Sequence, residues 1–208
     1  MSTTTVRIVD IATAIGLVEE DFTLPNGKPA RGLVWRPEHL SKVFQHCDGL
    51  RSSLGLGRND VVVIDGVCPA WLLACVSHGF HPCSTAVSYR QAAGAEPVNL
   101  PVGGTVMEAA GAGENLAFTV TAGETATTVE FRLTVPQIDA AATLKSLVAP
   151  VVPAGKPVVV TGRGLISIAA ALADAYAHRV PAVACFQPGT GNVVCISHDA
   201  AMPLGTVV

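Results

Sequence analysis

Apolar and polar positions along the chain fall into two recurring patterns: short β-branched runs that end at a glycine turn, and longer apolar stretches at helical spacing. The clearest case is Pro157-Val158-Val159-Val160-Thr161, closed by Gly162-Arg163-Gly164 and followed by the alanine-rich stretch 165–178. That pattern predicts a buried strand, a tight turn and a helix whose first N–H groups are free to meet an anion. Val61 to Ile64, then Asp65-Gly66 and the apolar stretch Pro69 to His78, predict a second copy. Proline near the start followed by continuous apolar residues reads as a buried helix.

Elsewhere, loose alternation over 5–24 suits one or two strands, and Leu24 to Pro29 is a turn. Arg36-Pro37-Glu38-His39 starts a helix carrying Leu40, Val43, Phe44 and Cys47, and Ser84 to Tyr89 is a strand. Leu116 to Thr121 and Thr127 to Val135 form a hairpin, and a helix follows through Leu147. Strands at 182–186 and 193–196 flank the turn Gln187-Pro188-Gly189-Thr190-Gly191-Asn192.

Setting Gly66 over Gly162 aligns the element order of the two halves, which reads as a tandem repeat. The expected fold class is α/β, with two ferredoxin-like β-β-α-β-α-β units forming a pseudo-dimer. Their boundaries are 1–102 and 115–208, with a Gly-rich linker at 103–114.

Composition narrows the function classes. Half of the 208 residues are hydrophobic and 14% are charged, a dense globular balance. The net charge of −3 argues against broad binding of long nucleic acid, while leaving room for a small anionic ligand held by a few groups. No apolar run reaches the length of a membrane span and the N-terminus lacks a signal pattern, so no membrane and a cytoplasmic location are expected. The six cysteines contain no C-x-x-C pair and read as buried thiols.

Candidate chemistry clusters on the repeated units. Gly162, Arg163 and Gly164, with Ser167 behind them, either cradle a phosphate or form an ordinary turn with a solvated arginine. His178 closes the second helix, and His78 and His81 hold similar places in the first half. Each reads as a helix-end histidine or as an acid–base group. His198 follows the last strand in Ser197-His198-Asp199. Trp71 is a packing residue or a surface on which a base stacks. No metal site is legible.

These motifs together resemble the small CRISPR-associated ring nucleases of type III systems. The resemblance rests on Gly162-Arg163-Gly164, the helix ending Ala175-Tyr176-Ala177-His178, Ala182-Val183, the Pro-Gly hairpin and the closing Ser197-His198. Pro69, Trp71-Leu72 and His78 to His81 carry it more thinly in the first half. It implies a hydrolase of antiviral defense that dimerises or stacks around cyclic tetra-adenylate, a cyclic oligoadenylate messenger, and linearises it, in some members with manganese (Mn). A homo-oligomer is thus a possible state. By position, Arg163 holds phosphate, His178 is catalytic and His198 supports it; Trp71, His81 and Ser167 are, with Gly162 and Gly164, the further ligand-binding candidates. Gln187 stands where the family turn carries its catalytic Asp, and Gly189 where it carries Arg. The alternative is a non-catalytic binder that sequesters or senses the messenger.

Overall fold

In the computed structural model, residues 2–24, 26–57, 59–81, 84–91, 94–101 and 107–208 are described, with the side chains of 84–86 outside that set. Cys83, Pro82 and residues 103–106 of the expected linker therefore lie outside the described residues.

The first half runs β1 (Thr3–Arg7), α1 (Ile8–Ala14), β2 (Glu19–Thr23), β3 (Pro29–Leu33), a 3₁₀ turn at Pro37–His39, α2 (Leu40–Ser53), β4 (Asp60–Asp65), α3 (Ala70–Phe80), β5 (Ser84–Arg90) and β6 (Val98–Leu100). The second runs β7 (Met107–Glu108), β8 (Leu116–Ala122), β9 (Thr127–Leu133), α4 (Ala140–Lys145), β10 (Ala149–Pro150), β11 (Val158–Arg163), α5 (Ile166–Tyr176), β12 (Ala182–Gln187) and β13 (Gly191–Ser197). The reading of 5–24 as strands alone is corrected by α1. Ile8, Ile11, Ala12 and the partly buried Ile15 recur at helical spacing and face the core.

Two main sheets result, ordered β1-β4-β5-β6 and β13-β12-β11-β9-β8. The chain is mixed α/β, but the strand pairing is not ferredoxin-like. A split βαβ unit holds its parallel strands apart by an antiparallel one. Here β4 lies directly beside both β1 and β5, and β11 beside both β9 and β12, all parallel. Each parallel step is made by a helical crossover, the connection that parallel neighbours require. Only β6, β8 and β13 pair antiparallel in these sheets.

Helices α3 and α5 are 11 residues each, and their positions are offset by 96 at both ends. They pack on one another between the sheets, and a single apolar cluster runs through both halves. Of the expected linker, Ala112 exchanges backbone hydrogen bonds with Val148, and Val151 N–H donates to Glu108. That end of the stretch is stitched to the second half.

Gly162 has a packing task. A Cβ there would collide with the Phe131 carbonyl oxygen on β9 and lie 2.6 Å from that residue's ring. The clash is with backbone, so no rotamer change relieves it. Gly162→Ala is therefore expected to destabilise the fold by about 2–3 kcal/mol, read as a lower urea midpoint.

Candidate functional site

Four of the chain's six histidines meet at one end of the molecule. His78 and His81 lie at the C-terminal end of α3, His178 just beyond α5, and His198 just beyond β13. Their positions follow from the topology. Helices α3 and α5 run side by side in the same direction, so their last turns coincide, and antiparallel β13 returns to the same edge. The His198 N–H donates to Pro181 O at 3.0 Å, which fixes that return.

The rings are crowded. His78 and His81 stack with centroids 5.0 Å apart, and His178 and His198 stack at 5.1 Å. His178 lies 5.3 Å from His78 and 5.0 Å from His81, with its Nε2 3.3 Å from His81 Nε2. Buried Asp174 on α5 places Oδ1 3.3 Å from His78 Nδ1. Partial burial, then the neighbouring His78 and His81, push the His178 pKa below the usual imidazole value; Asp174 opposes this. Burial, then His78 and His178, lower that of His198.

The opposite end gathers the other candidates. A cavity of about 700 Å³ is lined by Phe22, Trp35, Val67, Trp71 and Gln187, with the β2–β3 hairpin as a wall. A smaller one of about 190 Å³ adjoins it against Gly162, Gly164 and Gln187. Both helices aim their N-termini here, so two helix dipoles present their positive ends. Trp71 is 1% exposed, which denies its ring face to a base, but its buried Nε1–H has no hydrogen-bond partner among the described residues. Ser167 is buried in the first turn of α5.

The sequence candidates thus separate into two poles. The 11 residues of α5 span about 16 Å between the Gly162 turn and His178. The six residues of β12 likewise hold Gln187 about 20 Å from the strand end nearest the histidines. Gln187 accordingly sits with the glycine turn, away from His178 and His198.

Arg163 is exposed and, by strand alternation, lies on the sheet face opposite Val158, Val160 and Gly162, which pack towards the helices. It is in register with Arg132 on β9, a neighbour that sequence reasoning missed. Neither arginine has an ion-pair partner among the described residues. In the first half the corresponding strand ends are neutralised. Arg90 grips Asp65 through two contacts of 3.0 and 2.9 Å, and Arg7 pairs with Asp10 at 2.7 Å. Trp35 was also missed, since it sits between elements where no period marks it.

Five of the cysteines are buried and free, and burial pushes the Cys47 and Cys68 thiols up to about 12, which removes them from nucleophilic chemistry. No helix among the described residues is long and apolar enough to cross a membrane.

Residues 132–208 are similar to a CRISPR-associated protein. The match is to the model of the CRISPR-associated protein family Cas_csx3, and it spans the chain from the end of β9 to the last residue. It therefore includes Arg132, the Gly162 turn, His178, Gln187 and His198, and excludes α3 with His78 and His81. No curated protein matches the chain.

Because folding disfavours protonation of His178 and His198, stability is full above the ordinary imidazole range and falls as pH drops through it. In EDTA-containing buffer, both imidazoles are expected to titrate below about 6.5 by NMR. Denaturation midpoints should fall between pH 7.5 and 5 by less in His178→Gln than in the parent chain.

Proposed function

We propose that the chain binds cyclic tetra-adenylate and linearises it, acting as a ring nuclease that ends type III CRISPR antiviral signalling. The observation carrying this reading is the histidine pole, where His178 and His198 from the Cas_csx3-like region meet at ring-stacking distance. Two neighbouring imidazoles suffice for cleavage by an internal nucleophile. The ribose 2′-oxygen attacks the adjacent phosphorus and the P–O5′ bond breaks, giving a 2′,3′-cyclic phosphate and a 5′-hydroxyl. One imidazole takes the 2′ proton, and the other, protonated, delivers a proton to the departing 5′-oxygen. Lowered pKa values favour the neutral form that a general base needs. The partner ring must carry a proton, so the reaction draws on molecules in which one of the two imidazoles is protonated. Gln187 carries an amide and takes no part in these transfers.

Recognition is assigned to the other pole. Two helix N-termini and a cavity with an orphan Trp71 donor, with Arg132 and Arg163 at the same strand ends but on the outer sheet face and without an ion-pair partner among the described residues, suit a phosphate-linked ring of bases. The poles lie about one helix length apart, so a ring held at the glycine turn of one copy meets the histidines of a second. This reading favours a homo-oligomer.

The second reading is a non-catalytic binder, favoured by Gln187 and Gly189 in the turn where the resembled family carries Asp and Arg. One assay separates the two: incubation with labelled cyclic tetra-adenylate, with and without manganese, and resolution of the products. A linear product whose rate drops about 10²- to 10⁴-fold in His178→Ala supports cleavage. Retention of intact ring supports the binder, and a chain that neither holds nor cuts any ring size sinks both. For binding itself, Arg132→Ala and Arg163→Ala should each weaken affinity about 10- to 100-fold, the worth of one charge-assisted contact, by calorimetry.

A further inference from the structure

Manganese, which the family resemblance implies for some members, prefers oxygen ligands. The histidine pole offers imidazole nitrogens instead, and the nearest carboxylate, Asp174, is buried and turned onto a histidine. The donor set does not fit manganese, and no step is routed through it.

We infer that His78, His81 and His178 form a three-imidazole site for one zinc-like divalent cation. The three residues present ligand atoms that all lie within 4.8 Å of one another. One edge is already at metal-binding length. His81 Nε2 and His178 Nε2 are 3.3 Å apart, and a tetrahedral site with metal–nitrogen bonds near 2.05 Å has an edge of about 3.3 Å. Of the two remaining edges, the one between His78 and His178 closes by rotation of His178, which is exposed and lies beyond the helix end, and the one between His78 and His81 by rotation of those two rings.

Three further features point the same way. His78 and His81 are three residues apart at the end of α3, a spacing that places both on one face. Asp174 Oδ1 takes the Nδ1–H of His78, which fixes the tautomer that leaves Nε2 free, the arrangement by which carboxylates orient metal-binding histidines. His81 Nδ1 is buried with no hydrogen-bond partner among the described residues, so the polar contact of that ring runs through Nε2, on the side of His178. In addition, the C-terminal ends of α3 and α5 converge on the pole, where both helix dipoles favour a cation.

Three protein ligands leave the fourth tetrahedral position open, as in catalytic rather than structural zinc sites. His198, with its ring 5.7 Å from that of His78 and 5.1 Å from that of His178, stands beside the site without belonging to the three-ligand set. It stays available to move a proton, whereas a His178 imidazole held by the cation does not, so the two-imidazole cleavage proposed above belongs to the metal-free chain. Two of the three ligands lie outside the Cas_csx3-like region, so the site belongs to the joined chain rather than to that region alone.

The test uses the full chain, stripped with EDTA, and needs no nucleotide, so it stands or falls apart from the ring-nuclease reading. Zinc chloride and manganese chloride are each titrated in competition with a chromophoric chelator, and cobalt chloride is followed by visible absorption. The expected result is one zinc per chain, a tetrahedral cobalt band and no competition by manganese. Stoichiometric zinc binding should be lost in His81→Ala and His178→Ala, weakened about 10- to 100-fold in Asp174→Asn, and unchanged in His46→Ala. Circular dichroism verifies that each variant is folded, and exposed His178 supplies a variant that leaves the core intact. Absence of stoichiometric zinc, zinc retained by folded His178→Ala, or manganese bound as well as zinc would each overturn the assignment.

Discussion

The structure depends on how closely α3 and α5 can lie together. Both helices are rich in small side chains, Ala74, Ser77 and Gly79 on α3 and Ala170, Ala171, Ala173 and Ala175 on α5, most of them fully buried. Close approach of parallel helices then places Asp174 against His78 in the core. A buried carboxylate is costly unless it is paired and hydrogen-bonded, so this contact helps to fix the relative register of the halves. Gly79 adds a second constraint, because a Cβ there would sit 3.1 Å from the Cys47 Cβ on α2.

That geometry sorts the chemistry. Helices running in the same direction gather two positive dipole ends at the glycine turn and two negative ends at the histidines. Anion recognition and proton or cation chemistry are therefore drawn to opposite poles. The halves also differ in charge pairing. Carboxylates neutralise Arg7 and Arg90 in the first, whereas Arg132 and Arg163 stand in register in the second with no ion-pair partner among the described residues. Like charges on adjacent strands are unfavourable in isolation, a cost that an anionic ligand would offset.

Much of the element order was legible in the sequence, because strand–turn–helix units change period abruptly at glycine or proline. Asp65-Gly66 and Gly162 mark the ends of β4 and β11, and α3 and α5 follow where the apolar stretches predict them. Strand pairing was not legible, since a β-branched run has the same composition whether its neighbour is parallel or antiparallel. The candidate site was legible residue by residue and illegible as an arrangement. His178 and His198 belong together because β13 folds back, and Gln187 parts from them because β12 lies between. His78 looked like a helix-end histidine, and only its meeting with Asp174, 96 positions away, distinguishes it. Arg132 gave no signal at all, for a lone arginine in a strand acquires meaning through register with Arg163.

The histidine pole draws His78 and His81 from one half and His178 and His198 from the other, all on a single polypeptide. A pocket shared between separate subunits empties as the protein is diluted, because its parts drift away from one another. Here the covalent connection holds the four rings at a high effective concentration whatever the cellular abundance of the protein. Even a few copies per cell would each retain a complete quartet.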